Sequence, residues 1–283
     1  MPLVIGVHPN NLHLRLAARW PGAFEGLDAT FASYDEGRET GRLVAEGRID
    51  VGGTGSTPPI LDHARGLDVL YLAASAPRPA NGAVLVRAAG GPEGVVDLAG
   101  RRVALLDGSF HTFLLARVLE GGGLGLRDIE RVELGPDAAR AALAAGDVDA
   151  WVAMAPLLGM ATASGEARVL ATARDVIPNR SVFWTLARRG IDPATAAAFV
   201  ERLAAFGTRI AAEPDRAADV LAGPGADAGT RAAWLRTVVE RDWRIAPAGP
   251  EVLAEQRAEA ETLHRHGDLT TVPVPRSLHG APV

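Results

Sequence analysis

The sequence predicts an α/β fold in two lobes, each lobe a mostly parallel sheet flanked by helices. Two observations carry that prediction. Short apolar strand candidates alternate with helical patterns along most of the 283 residues, the rhythm of strand–helix–strand units. Two extended segments, near Val86 and near Val182, then read as crossings that leave the first group of elements and return to it. The length exceeds one average domain, and 48% hydrophobic residues supply material for sizeable cores.

Taken in order, Leu3–Val7 is the first strand and Leu12–Trp20 the first helix. Ala29–Tyr34 is a strand, Gly37–Glu46 a helix, Asp50–Gly53 a strand, Thr57–Arg65 a helix, and Asp68–Ala74 and Gly82–Arg87 are strands. A second unit follows with a short helix at Val96–Leu98 and a strand at Val103–Leu106. Phe110–Glu120 is a helix with Leu114, Leu115 and Val118 on one face. Ile129–Glu133, Ala150–Ala153 and Val169–Ala171 are strands, interleaved with helices at Asp137–Ala145 and Pro156–Ser164. Phe183–Ala187 returns as a strand to the first unit. The remainder is helical: Pro193–Ala212, Pro214–Leu221, Ala228–Trp234 and Pro250–His264, with turns at Gly223–Gly225 and Pro247–Pro250. Residues 1–87 and 183–265 make lobe one, 88–182 lobe two and 266–283 a C-terminal tail. The Pro-rich stretch Val272–Val283 is the one part expected to be disordered.

Composition narrows the chemistry. All 29 basic residues are arginine, so no Lys Schiff base with pyridoxal phosphate or a carbonyl substrate is available. Cysteine is absent, which excludes a thiolate nucleophile, a disulfide framework and a Cys-ligated metal. The net charge is -5 and the arginines are scattered, unlike a nucleic-acid-binding face. His264, His266 and His279 have no metal-ligand spacing, and His13 and His63 read as helix-surface residues. No cofactor and no metal are expected. No run approaches the roughly 18–20 apolar residues of a membrane-spanning helix. No signal peptide is visible before the first strand, so a cytoplasmic location is expected of the chain as written. For a trimmed mature form the expectation becomes the periplasm or cell surface.

In a two-lobed α/β fold, ligands sit between the lobes at the carboxyl ends of strands. Four polar turns occupy that position: His8–Asn11, Gly53–Thr57, Asp107–Thr112 and Asn179–Ser181. The stretch Ile49–Pro59 is the most informative of them. A strand end runs into three glycines and three hydroxyl residues, then into a Thr-Pro pair. Thr57 is expected to cap a helix whose first turn accepts Pro58. Backbone N–H groups at such a turn, with the positive end of the helix dipole behind them, suit an oxyanion. The other reading is an ordinary strand-to-helix turn with small residues for tight packing.

Several segments together resemble the periplasmic substrate-binding proteins of sulfonate, taurine and nitrate ABC importers, and the aliphatic sulfonate-binding group most. They are Gly52-Gly53-Thr54-Gly55-Ser56-Thr57-Pro58-Pro59, Asp97-Leu98-Ala99-Gly100-Arg101-Arg102-Val103-Ala104, and Gly108-Ser109 opening a helix that carries Leu114-Leu115. Ala141-Ala142-Leu143 leading to Gly146-Asp147-Val148-Asp149-Ala150-Trp151-Val152, and Asn179-Arg180, complete the order. The resemblance, from about Leu3 to Leu221, implies the type II periplasmic-binding-protein-like fold, a small organic anion as ligand and an ABC permease as partner. The chain departs from the pattern at Ala153-Met154-Ala155-Pro156, and at Thr112, where the group often has histidine and this chain has His111 beside it. The aromatic sulfinate desulfinase shares the fold, but its cysteine falls at His8 and its arginine at about Gly52. The pyrimidine-precursor synthases of thiamine biosynthesis rely on a histidine and a lysine, and no lysine is present.

The expected ligand contacts are His8, Asn10, Asn11, Gly53, Thr54, Gly55, Ser56, Thr57, Gly108, Ser109, His111, Thr112, Trp151, Met154 and Arg180. His8 at a strand end could donate to an anion, act as a general base or simply hold a turn. It is the first catalytic candidate and His111 the second. Arg180 suits a bidentate oxyanion contact or an inter-lobe salt bridge, and Arg78 between two prolines is open in the same way. Trp151 reads as core or cleft wall, and Asp147 with Asp149 as turn chemistry. Two functions are consistent with these residues. One is the solute-binding component of an ABC importer, closing two lobes on an organic anion by hinge motion. The other is a cytoplasmic lyase or hydrolase on the same scaffold, using histidine with the turns as oxyanion holes. A ligand sensor that binds a partner protein when closed is a third.

Overall fold

The computed structural model describes residues 1–278. The chain runs β1 (Leu3–Val7), α1 (Leu12–Ala17), β2 (Ala29–Ser33), α2 (Thr40–Ala45), β3 (Gly52–Thr54), α3 (Thr57–Ala64) and β4 (Val69–Ser75). It continues with β5 (Ala83–Arg87), β6 (Arg102–Leu105), α4 (Phe110–Gly121), β7 (Glu130–Glu133), α5 (Pro136–Ala145), β8 (Ala150–Ala153), α6 (Leu157–Ala163) and β9 (Ala167–Thr172). The last elements are β10 (Val182–Leu186), α7 (Pro193–Ala212), α8 (Pro214–Ala222), α9 (Ala228–Glu240), β11 (Ile245–Pro247) and α10 (Pro250–Arg265). Most predicted elements are present within a residue or two. α9 runs six residues beyond the expected Trp234, and the Gly37–Glu46 helix begins as a 3-10 turn at Gly37–Glu39. β11 falls just before a predicted turn; as a three-residue edge strand it tolerates Pro247 and shows no alternation to detect.

The chain divides into two units. Unit 1 holds Met1–Pro77, Arg180–Glu261 and the described residues from Thr270, and unit 2 holds Arg78–Asn179 with Thr262–Leu269. The expectation placed Gly82–Arg87 in lobe one. β5 instead pairs with β8 and β9, so it belongs to unit 2. The expected tail is likewise divided: 266–269 go with unit 2 and the following residues with unit 1.

Unit 2 shows how alternation builds a sheet with two buried faces. Its strand order is β7-β6-β8-β5-β9, with β6 parallel to β7 and β8, and β5 antiparallel to both neighbours. Successive side chains point to opposite faces. Val84, Val86, Val103, Leu105, Ala150 and Val152 therefore pack with Leu114, Leu115 and Val118 of α4. The intervening Leu85, Ala104, Trp151 and Ala153 pack with Leu143 of α5 and Ala161 of α6.

Unit 1 is mixed in a different way. β1 and β2 are parallel, and Ile5 bridges to Val51 beside β3. The four-stranded sheet β11-β4-β10-β3 is antiparallel at every pair. The expected mostly parallel sheet holds for β1–β2 and β6–β8, but β10 and β11 enter from the opposite end and pair antiparallel, which needs no helical crossover. One core gathers Ile5, Leu14, Trp20, Phe199, Phe206 and Trp243, and another gathers Tyr71, Trp184, Val44 and Leu253.

Two expectations about exposure are corrected. His13 is fully buried in α1, edge-on to the rings of Trp243 and Phe183. The stretch from Val272 is not wholly disordered: the Tyr71 N–H donates to the Arg276 carbonyl at 2.9 Å, and the Leu278 N–H donates to Tyr71 O at 3.2 Å. His279 and the rest of the predicted tail lie outside the described residues. No helix among the described residues is long and apolar enough to cross a membrane.

Gly207 in α7 gives a direct test of this packing. A Cβ there would lie 2.2 Å from the Trp243 carbonyl oxygen, a backbone atom that cannot swing away. Gly207→Ala is expected to cost about 1–3 kcal/mol, read as a lower urea midpoint at unchanged slope.

Candidate functional site

In unit 1 the end of β1 meets the end of β3. His8 is buried, its Nε2–H donates to the Gly53 carbonyl at 2.9 Å, and its Nδ1 accepts from the Asn10 N–H at 3.4 Å. Those partners fix a neutral ring with the proton on Nε2. Burial pushes its pKa down to about 4. Both nitrogens serve backbone groups, the geometry of a turn clamp rather than of a free base. Asn11 caps α1: its Oδ1 accepts from the Leu14 N–H at 3.1 Å, while its buried Nδ2 has no partner among the described residues. A Cβ on Gly53 would sit 2.5 Å from that Nδ2 and 2.7 Å from the Phe183 ring. Glycine at 53 is therefore what lets Asn11 and Phe183 approach the backbone. Asn10 is exposed.

The α3 entry differs from its expectation. Ser56, not Thr57, is the N-cap residue, and Thr57 is fully buried inside the first turn beside Pro58. The Thr57 hydroxyl donates to Glu259 Oε1 at 2.5 Å, and Ser56 bonds the same carboxyl group. Thr54 donates to Gly55 O at 2.7 Å and accepts from Trp184 Nε1 at 3.0 Å. The positive end of this helix thus already carries an acid of the protein's own, and burial pushes the Glu259 pKa up to about 7. Glu259 is a residue that sequence reading missed. Its signal was present: Val252, Leu253, Gln256, Glu259, Ala260 and Leu263 recur at helical spacing on one buried face.

Unit 2 repeats the pattern. Ser109 caps α4, accepting from the His111 N–H at 3.2 Å and donating to Leu106 O at 2.6 Å. Asp107 turns its carboxylate onto this entry, accepting from Thr112 Oγ1 at 2.8 Å and from the Gly108 N–H at 3.1 Å. Arg131 holds that carboxylate and Asp268 together. His111 is buried against Phe110, and its Nδ1 accepts from the Leu106 N–H at 3.2 Å. The proton therefore sits on Nε2, a buried donor with no partner among the described residues. Burial pushes the His111 pKa down to about 3, so this donor is neutral.

The remaining candidates separate. Trp151 lies inside the unit 2 core in one cluster with Leu143 and Ala161, and Met154 is half-buried against the other face of that sheet. Arg180 pairs with Glu255 and Glu251 of α10, at 2.7 and 2.9 Å, and donates to Ser75 O. The salt bridge lies inside unit 1 and is not the inter-lobe one expected. Arg180→Met leaves the mostly buried Glu255 without its cation; it is expected to cost about 1–2 kcal/mol in thermal unfolding at low salt, and less in 1 M NaCl. Within unit 1 the structure brings His8, Asn11 and Gly53 into contact; within unit 2 it brings Gly108, Ser109, His111 and Thr112 into one turn. The hydroxyls and several N–H groups expected to face a ligand are engaged by protein acceptors. Among the candidate residues, the buried side-chain donors with no partner among the described residues are Asn11 Nδ2 and His111 Nε2.

Known proteins share this architecture. The alkanesulfonate-binding protein SsuA from Xanthomonas axonopodis pv. citri, solved bound to MOPS, superposes with a TM-score of 0.85 at 28% identity, covering 96% of this chain and 95% of that one. The periplasmic aliphatic sulphonate binding protein SsuA from Escherichia coli gives 0.83 at 26% identity, covering 100% and 95%. These matches show the type II periplasmic-binding-protein fold. A protein of Escherichia coli (strain K12) named as an aliphatic sulfonates-binding protein is 34% identical over 172 residues, 61% of this chain and 53% of that protein. The match thus spans about half the length of that curated relative. The model of the family described as NMT1/THI5 like matches residues 23–190, and the chain belongs to that family.

Proposed function

We propose that this chain is the solute-binding component of an ABC importer for an aliphatic sulfonate or a related small organic anion. It would work outside the cytoplasmic membrane and hand its ligand to a permease. The carrying observation is a buried, neutral donor in each unit with no partner among the described residues, Asn11 Nδ2 in unit 1 and, independently, His111 Nε2–H in unit 2. A buried donor without an acceptor costs roughly 1–3 kcal/mol, and an oxyanion arriving there recovers that cost. Neutral donors bind the anion at any pH where the imidazoles stay uncharged, and no proton is exchanged. Relatives named for sulfonate binding support the ligand class, and the periplasmic relative supports the location. His8, with both nitrogens on backbone groups, favours binding over turnover.

Thermal unfolding with ethanesulfonate, taurine, benzenesulfonate and nitrate tests the ligand class. A ligand at 100 times its dissociation constant adds about 2.7 kcal/mol. Stabilisation by at least one sulfonate is expected, and none from any anion removes the reading. For the location, osmotic shock of the source cells is expected to release the chain with the periplasmic fraction; retention with cytoplasmic markers contradicts it.

A further inference from the structure

Arg78 is the one arginine in the buried class among the described residues. Its side chain has no carboxylate within ion-pair distance among those residues. Nε donates to the Asn179 carbonyl at 2.5 Å and Nη2 donates to Asn179 Oδ1 at 2.9 Å, both neutral oxygens. No described residue accepts from Nη1. Asn179 is itself buried and sits at φ 48°, in the left-handed region, with its Nδ2 3.5 Å from the Arg78 carbonyl. Two residues a hundred positions apart are thus locked to each other. One edge of the guanidinium is fixed and the charge is left uncompensated. Pro77 and Pro79 restrict the backbone on either side.

A buried charge without a counter-ion is the costly arrangement that proteins avoid unless a partner arrives. Burial alone lowers the Arg78 pKa to about 9, so the group remains a cation at neutral pH. The contrast with Arg180, which already has two carboxylates, is direct. It also sets Arg78 apart from Asn11 and His111, whose donors are neutral and cannot tell an anion from a neutral oxygen acceptor.

We propose that Arg78 supplies the positive charge that selects an anionic head group, with Asn179 as the positioning residue that holds its guanidinium in place. The inference rests on the proposed binding function and deepens it. The ligand class is a small organic molecule ending in a singly charged oxyanion of the sulfonate type. Arg78, within unit 2, thus contributes the discrimination by charge that a neutral donor lacks.

The experiment is calorimetric titration of the whole chain with ethanesulfonate and with its neutral counterpart ethanesulfonamide, for wild type, Arg78→Gln, Arg78→Lys and Asn179→Gly. Wild type is expected to prefer the sulfonate strongly. Arg78→Gln is expected to weaken ethanesulfonate by about 100-fold, the scale of a hydrogen bond to a charged group, with ethanesulfonamide little changed. Arg78→Lys keeps the charge without the fork and falls between the two. Asn179→Gly suits the left-handed backbone and removes Oδ1, so a loss of about 10-fold confined to the sulfonate is expected. Wild-type binding with equal affinity in Arg78→Gln overturns the assignment and leaves the binding function standing. Absence of any wild-type binding overturns the function itself. Should Arg78→Gln fail to fold, unchanged sulfonate preference in both Arg78→Lys and Asn179→Gly overturns the assignment by itself.

Discussion

Glu259→Gln is expected to remove the pH dependence of one contribution to wild-type stability, a contribution that declines as pH rises from about 4.5 to about 7. The cause is the raised pKa of this acid, about 7 in the folded chain, which follows from burial at the α3 entry. In the folded state Glu259 keeps its proton across that window, while in the unfolded chain it does not. At this group the folded state therefore binds more protons, and the contribution of Glu259 to stability falls with rising pH until about pH 7. A shift of this size corresponds to about 3 kcal/mol. The glutamine retains a carbonyl acceptor for Thr57 and Ser56, so near pH 4.5 its stability is expected to match wild type, and near pH 8 to exceed it. Urea melts at several pH values read the difference directly. Parallel curves for the two proteins would show that Glu259 does not titrate in this range.

The second large effect has the opposite sign. His8 and His111 are held neutral, with pKa values lowered to about 4 and about 3 by burial. Below pH 6.5 the unfolded chain takes up protons that the folded chain refuses, so stability falls as pH falls. By pH 4 each histidine removes about 3 kcal/mol. Glu259 and Asp62, whose pKa is raised to about 6 chiefly by burial, return about 5 kcal/mol over the same range. The wild-type curve is therefore expected to be shallow between pH 4 and 8, as a near cancellation of steep limbs. His111→Leu exposes one limb: it is expected to lose about 1 kcal/mol at pH 8, where the Leu106 N–H is left unpaired, and to exceed wild type by about 2 kcal/mol at pH 4. The same variant should bind sulfonate more weakly, having lost its Nε2 donor. A variant curve that tracks wild type through pH 4 would mean that His111 is not held neutral.

Much of the architecture was legible because it depends on local pattern. Ala150–Ala153 and Pro193–Ala212 were read at their actual bounds, since one is a short apolar run and the other a long periodic helix with Pro after a capping Asp192. The turns at Gly53–Thr57 and Gly108–Thr112 were also placed correctly as strand-to-helix entries. What their hydroxyls do was not legible. Thr57 is satisfied by Glu259, 202 residues away, and Thr54 by Trp184, 130 residues away. A capping preference is a local property, while the identity of a buried acceptor is settled by packing. His13 failed for the same reason: polar by type, it fills a space between two aromatic rings that only the folded chain creates. β5 was assigned to the wrong lobe because an apolar strand does not declare its partners. The sequence leaves Arg78 open between an ion pair and an anion contact, and no carboxylate among the described residues lies beside it.

On the proposed function, buried donors without acceptors among the described residues serve to receive an organic oxyanion. Isothermal titration of the folded chain with ethanesulfonate at pH 7.5 tests it most directly. Saturable binding is expected, with a dissociation constant on the order of 10 µM or tighter. A clear loss of affinity is expected when the donor that meets the ligand is removed, by Asn11→Ala in unit 1 or by His111→Leu in unit 2. No saturable heat with ethanesulfonate, taurine or benzenesulfonate, from protein that unfolds cooperatively, would contradict it.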